Sequence, residues 1–129
     1  MKYVVTGGAG FIGSHLVKHL LSEGHDVTII DNMYRGRLSN LHGFLEKINL
    51  VQLDILEYEK LRNYIKNADG IFHQAALTSV VESYQKQSEY HKVNVIGTEN
   101  IFKIAKEFSI KVVFASSSSV YGNITKIPI

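Results

Sequence analysis

The sequence has no cysteine and only one proline in 129 residues. Without thiols there is no disulfide framework and no thiolate metal site, which fits a reducing compartment and makes the cytoplasm the expected location. A charge excess is missing too: the formal net charge is +2, with seven basic against seven acidic residues up to Tyr64 and seven against five beyond it. Neither half is a basic arm, so nucleic acid and membrane surfaces are not expected partners. No apolar run approaches the roughly 18 residues of a membrane span, and the opening MKYVVTGG has a lone lysine and too short an apolar run for a signal peptide. There is no low-complexity tract and no internal repeat.

Against these absences stand ten glycines and a hydrophobic fraction of 45%, the composition of a globular α/β domain. A chain of this length forms one domain and removes roughly two-thirds of its unfolded surface from water. Residues 2–6, KYVVT, predict a strand that meets GGAG. Ile12, Leu16, Val17, Leu20 and Leu21 then recur at helical spacing until Gly24 ends the helix. In HDVTIID the apolar positions are nearly continuous, as in a strand covered on both faces. INLVQLDI predicts a third strand, EYEKLRNYIKN a helix, and DGIFHQAA a strand with its loop. Residues 85–108 predict one long helix, and KVVFASSS a fifth strand. Alternating strands and helices imply right-handed crossovers and a doubly wound parallel sheet, with ligands at the carboxyl ends of the strands. TGGAG, DN, DI, HQAA and SSSS all fall at such ends and should share one rim.

In TGGAGFIGSH, Gly7, Gly10 and Gly13 have the spacing G-x-x-G-x-x-G. A turn this tight needs positive φ, and a pyrophosphate approaches the backbone only where no Cβ intervenes. Gly13 would let the helix lie close on the sheet, and the helix N-terminus would hold the phosphates. A glycine motif alone also fits a structural turn; here a strand precedes it, a helix follows, and an acid stands 24 residues beyond Gly7. That acid, Asp31, accepts hydrogen bonds from both ribose hydroxyls and repels a 2′-phosphate, favouring NAD over NADP; its other reading is a turn cap. Arg35 and Arg37 lie near enough to keep NADP open. Asp54 suits the adenine amino group with Ile55 beneath the ring, or a helix N-cap before EYEKL.

With TGGAGFIGSHL, DN followed by RGxxxNL, HQAA, VNVIGT and SSSSVYG in order, the chain resembles the N-terminal part of an extended short-chain dehydrogenase/reductase. It is most similar to the UDP-glucose 4-epimerase branch of the nucleotide-sugar epimerase family. The resemblance covers essentially the whole chain and implies a Rossmann fold over residues 1–129, interrupted after about the fifth strand. It assigns Gly7, Gly10, Phe11, Ile12 and Gly13 to the pyrophosphate loop and Asp31 and Asn32 to the adenosine ribose. Asp54 and Ile55 go to the adenine, Gln74, Ala75 and Ala76 to the segment beside the cofactor ribose, and Asn94 to the nicotinamide end. Thr78 departs from the pattern, since some 4-epimerases carry a lysine there that touches the cofactor.

The same resemblance makes Ser117 the catalytic serine, a positioner of the substrate oxygen rather than a nucleophile, with Ser118 and Ser119 on the sugar side. The plainer reading of SSSS is a polar strand end. The family's mechanism takes the sugar 4-OH proton with a tyrosinate, passes the C4 hydride to NAD⁺ and returns it to the other face, while a lysine lowers the tyrosine pKa. That pair is a Tyr-x-x-x-Lys motif, and Tyr121 does not begin one, because the fourth residue after it is Thr125. Both groups are expected beyond Ile129. The chain is therefore expected to be the N-terminal piece of a longer polypeptide, inactive by itself, with an apolar edge on the fifth strand. In this family the long helix joins a homodimer bundle. Its Tyr84, Tyr90, Val95 and Phe102 lie away from the side carrying Val93, Gly97, Ile101, Ile104 and Phe108, as if two faces were covered.

The remaining titratable groups read blandly. His15 and His19, four apart, lack the H-E-x-x-H pattern of a zinc helix. His73 reads as a packed, hydrogen-bonded residue, and Glu82 and Glu89 as helix-surface charges. Two function classes stay open. One is part of an NAD-dependent epimerase with a UDP-hexose substrate; the other is a non-catalytic nucleotide-binding module. Within the enzyme class, Ser118 and Ser119 stand where a sugar-nucleotide dehydratase carries an Asp-Glu pair, which favours epimerisation. A reductase or decarboxylase of the same superfamily stays open as well.

Overall fold

In the computed structural model, which describes residues 1–123, the N-terminal run forms β1, Lys2–Thr6, followed by α1, Phe11–Ser22. Gly24 adopts φ +77° and its amide bonds to the Leu21 carbonyl, stopping α1 as the sequence predicts. β2, Asp26–Asp31, and β3, Asn49–Gln52, are joined by a loop with two short 3-10 turns. Then come α2, Tyr58–Ile65, and β4, Gly70–His73. Thr125, named above, lies outside the described residues.

The predicted helix over 85–108 is in fact a composite. A short α3, Val80–Gln85, is capped by the Ser79 hydroxyl, which accepts from the Glu82 amide, and Lys86 leaves helical geometry at φ −121°. The chain re-enters as α4, Gln87–His91, widens into a π-helical stretch, Lys92–Gly97, and continues as α5, Thr98–Glu107. Hydrophobic periodicity registers none of this, because a π turn shifts the phase of the helix without altering its composition. The shift has a use: a Cβ on Gly97 would lie 2.4 Å from Ile55 Cδ1, so the helix crosses Ile55 at closest approach where its side chain is smallest. β5, Lys111–Phe114, ends the sheet.

All strand pairs are parallel, in the order β3-β2-β1-β4-β5. Neighbouring residues feed opposite faces of the sheet. Val5 and Ile29 pack with Val17, Leu20 and Leu41 on the α1 side, while Val4 and Ile30 pack with Leu61, Ile65, Ile101 and Ile104 beneath α2 and α5. This is the expected doubly wound Rossmann arrangement. The chain leaves β1 toward β2 and β3 and later returns to the other side of β1 with β4, so the topological switch lies between the carboxyl ends of β1 and β4.

β5 is an edge strand with Val113 and Phe114 exposed. Phe114 meets Phe102 of α5 edge-on at 5.8 Å. On the helical segments Tyr84, Val95 and Phe102 are exposed, whereas Ile101 and Ile104 are fully buried. The inner face of that stretch is therefore covered as read, and the outer residues form an exposed stripe on the single chain, except Tyr90, which is half-buried with its hydroxyl bonded to Ser79 and Glu82. No helix among the described residues is long and apolar enough to cross a membrane.

Candidate functional site

A cleft of about 340 Å³ opens at the switch between β1 and β4. Its floor is made by the glycine loop. Gly7 has φ +68°, and a Cβ there would come within 2.8 Å of the Ala75 amide nitrogen, so the β1 and β4 loops touch backbone to backbone. Gly10 is the N-cap of α1, has no side chain to offer the helix, and is followed by a first turn without acids. The leading N–H groups of Phe11, Ile12 and Gly13 are left for an anion, where the helix dipole favours one. Phe11 and Ile12 are 76% and 68% exposed at the lip, apolar surface that a ligand would cover.

One wall is the end of β2. Asp31 is buried, its Oδ2 accepts from the Ala9 amide at 3.0 Å, and its Oδ1 accepts from the Met33 amide at 2.9 Å. The turn-cap reading is thus correct as far as Met33, and the bond to Ala9 adds a tie to the glycine loop. Each carboxylate oxygen keeps a lone pair, so two hydroxyl donors can still be accepted. Asn32 donates from Nδ2 to Asp54 Oδ2 at 2.9 Å and accepts from the Tyr34 amide at 3.0 Å. Asp54 Oδ1 accepts from the Leu56 amide at 2.9 Å, whereas the N-cap of α2 is Glu57. Asp54 therefore caps the turn before the helix, not the helix. Ile55 is buried beneath the cleft, and its carbonyl accepts from Asn100 Nδ2 at 3.0 Å.

The opposite wall is the loop after β4. Gln74, Ala75 and Ala76 line the cleft with Thr78 and Val93. The Thr6 hydroxyl oxygen holds this wall by accepting from the Gln74 and Ala75 amides, each at 3.2 Å. Asn94 brackets Leu77, accepting from its amide at 2.8 Å and donating to its carbonyl at 2.9 Å. Its amide is occupied there, and Val93 presents the neighbouring surface to the cleft. Ser117, Ser118 and Ser119 are exposed beyond β5 and outside the cleft lining; Ser117 Oγ accepts from the Ser119 amide at 3.2 Å as cap of a short 3-10 turn. Apart from Asn94, every residue assigned from the sequence to cofactor contact lines the one cleft, Gly7, Asp31 and Ala76 among them.

Sequence reasoning missed two features of the mouth. Gly36 presses on Asp31, where a Cβ would lie 2.7 Å from Oδ1; the Arg-Gly-Arg run carries the signal, a glycine between two long side chains. Glu82, read as a surface charge, instead binds Arg35 at 2.7 Å. Its Oε2 also accepts from the Tyr90 hydroxyl at 3.2 Å, and the Arg35 and Tyr90 bonds hold its carboxyl below the usual carboxylate range. His73 is packed as read, and burial lowers its pKa to about 4.

The sequence matches the model of the NAD dependent epimerase/dehydratase family over residues 3–129. It is 39% identical to a UDP-N-acetyl-alpha-D-glucosaminuronate decarboxylase of Bacillus cytotoxicus, covering 94% of this chain and 38% of that protein. The fold superposes on a UDP-glucose-4-epimerase from Stenotrophomonas maltophila, solved with NAD and formylated UDP-arabinopyranose, at TM-score 0.92 and 32% identity, covering 100% of this chain and 40% of that one. A UDP-N-acetylglucosamine 4-epimerase from Methanobrevibacter ruminantium, in complex with UDP-N-acetylmuramic acid, gives TM-score 0.92 at 38% identity, covering 99% and 41%. The chain thus spans about two-fifths of the length of the proteins it matches.

Proposed function

Because the chain belongs to the NAD dependent epimerase/dehydratase family, we propose that it is the cofactor-binding part of an NAD-dependent nucleotide-sugar 4-epimerase acting on a UDP-hexose. One observation carries the reading: the glycine loop, Asp31 and the Gln74–Ala76 wall, far apart in sequence, line a single cleft at the topological switch. The fit to a dinucleotide is physical. The α1 N-terminus has no side-chain cap, Gly7 leaves backbone exposed where a Cβ would block approach, and Asp31 has two acceptor positions to spare.

When bound, NAD supplies a reversible hydride acceptor. The chain's own residues do the rest of the holding. The N–H groups of the first turn of α1 take the pyrophosphate, and Asp31 with Asn32 takes the adenosine ribose. Ile55 lies under the adenine with Asp54 at its edge, and Gln74 to Ala76 run beside the other ribose. Asn94 holds that wall in place through Leu77. Ser117 positions the sugar oxygen from the end of β5, with Ser118 and Ser119 on the sugar side. No Tyr-x-x-x-Lys falls within these 129 residues, and the roles assigned to them are holding the cofactor and positioning the sugar. In the active enzyme the exposed stripe of Tyr84, Val95 and Phe102 belongs to a homodimer contact.

A second reading is favoured by two decarboxylase relatives, one of UDP-N-acetyl-alpha-D-glucosaminuronate and one of UDP-glucuronic acid: on it this chain's cofactor site serves loss of carbon dioxide from a UDP-uronate. The test uses this segment within a polypeptide of its relatives' full length, incubated with NAD⁺ and either UDP-glucose or UDP-glucuronate. Interconversion of UDP-hexoses without change of mass supports the epimerase, and release of carbon dioxide the decarboxylase. In the same protein, Ser117→Ala should depress kcat more than NAD⁺ affinity. Unchanged turnover would leave the serine only a structural part.

A further inference from the structure

Arg35 stands at the lip of the cleft, next to the glycine that covers Asp31. With Tyr34, Gly36 and Arg37 it also lines an adjoining shallow hollow of about 370 Å³. A dinucleotide whose ribose diol meets Asp31 brings its 2′ oxygen to this lip, so a phosphate on that oxygen would emerge beside two guanidinium groups. Arginine is the side chain best suited to a phosphate, which it grips through paired N–H donors. By charge alone the hollow invites the phosphorylated cofactor, against the preference that Asp31 sets.

Glu82 changes that balance. It is the anchored partner of the ion pair: its side chain is 33% exposed against 56% for Arg35, and its Oε2 also accepts from Tyr90. The anchoring continues into the backbone, since the Tyr90 hydroxyl accepts from the Ser79 amide and the Ser79 hydroxyl from the Glu82 amide. Arg35 is therefore drawn across the mouth to a fixed carboxylate on α3.

We propose that Glu82 is a cofactor-specificity residue: by holding Arg35 across the mouth it withholds the guanidinium from a 2′-phosphate. The two carboxylates act differently, Asp31 by accepting the ribose hydroxyls and Glu82, outside the cleft lining, by occupying the cation that would reward their phosphorylation. This rests on the dinucleotide reading given above.

The experiment compares NAD⁺ and NADP⁺ affinity by calorimetry, within a polypeptide of the relatives' full length, for the native chain, for Glu82→Gln, and for Arg35→Ala combined with Glu82→Gln. Releasing one guanidinium to a phosphate should lower the NADP⁺-to-NAD⁺ ratio of Kd values about tenfold in Glu82→Gln. The double variant, with no guanidinium to release, should return to the original ratio. An unchanged ratio in Glu82→Gln, or an equal loss of both affinities, overturns the inference while NAD⁺ binding by the unaltered chain keeps the cofactor reading standing. Binding of neither nucleotide by the unaltered chain overturns both.

Discussion

Thr6 Oγ1 lies 2.6 Å from His73 Nδ1, and the direction of that bond fixes the state of the histidine. The hydroxyl oxygen accepts from the Ala75 amide and from the Gln74 amide, which it shares with the Thr6 carbonyl at 3.1 Å, so its own proton is the group left for Nδ1. His73 is then neutral and carries its own proton on Nε2, 2.9 Å from Thr98 Oγ1. A charged ring would turn two donors toward each other at Thr6. One buried imidazole thus joins β1, β4 and α5 directly behind the cleft, and both threonines are conscripted to keep it uncharged.

This predicts a specific pH dependence. The unfolded chain protonates His73 near the ordinary value of 6.5, the folded chain only near 4, because burial disfavours the cation. Between those values the unfolded state binds more protons. Stability is therefore full above about pH 6.5 and falls as the pH drops toward 4, by about 3 kcal/mol from this residue. Glu82 and Glu107, held below the usual carboxylate range by Arg35 and Arg62, lose their contributions only below their ordinary 4.5, so they overlap this window only at its acid end. Urea unfolding midpoints at several pH values should slope in the native chain and lie flatter in His73→Gln; parallel slopes would put the dependence elsewhere.

Asp31→Ala should separate the two dinucleotides. Charge-assisted hydrogen bonds to a carboxylate contribute about 1.5–3 kcal/mol, so NAD⁺ affinity should fall roughly ten- to a hundredfold. NADP⁺ should lose less, because removing the carboxylate also removes repulsion of its 2′-phosphate. Part of the loss for both will reflect the Ala9 amide, which surrenders its acceptor. Calorimetric titration of each nucleotide distinguishes the contributions, and an equal loss would refute the ribose assignment.

Asn94 offers a case in which the resemblance pointed to a contact and the geometry points to a support. Removing its amide in Asn94→Ala strips both bonds from the Leu77 backbone, at a cost of about 1–3 kcal/mol. Hydrogen exchange at the Leu77 amide should accelerate, while amides in the centre of β1 and β4 keep their protection apart from the global loss. Slow exchange at Leu77 in the variant would show that the wall is held by something else.

The sheet and the cleft were legible in the sequence because each depends on local chemistry. KYVVT, DVTIID and GIFH are short apolar runs ending in loop residues, and their spacing leaves helices between them. Gly7, Gly10, Asp31 and Gln74 fall at strand ends, which a parallel sheet brings to one rim. What the sequence hid is the pairing of side chains across that rim. Glu82 looks like any surface glutamate until α3 sets it opposite Arg35. The π turn at Lys92–Gly97 was hidden for a related reason: it ends where Gly97 packs on Ile55, 42 positions apart in the chain and in touch only once the sheet has formed.

The glycine loop makes the last prediction, and a comparison of two glycines isolates its cause. A Cβ on Gly13 would lie 2.2 Å from the Gly7 carbonyl oxygen, 2.8 Å from Gly8 Cα and 2.9 Å from the Gly7 carbonyl carbon. All three are backbone atoms, so no rotamer change relieves the clash, and α1 must move off the loop. Gly13→Ala should therefore cost about 3 kcal/mol, the upper end of the usual range for overpacking, and should abolish dinucleotide binding as the first turn of α1 leaves its place. Gly43 is the control. Its φ is +87° with nothing within 4 Å of an added Cβ, so Gly43→Ala carries only local backbone strain, about 1–2 kcal/mol, and leaves the cleft untouched. Chemical denaturation of both variants with NAD⁺ titration of each tests the difference. If Gly13→Ala retained native affinity, the close approach of α1 to the loop would not be what shapes the phosphate site.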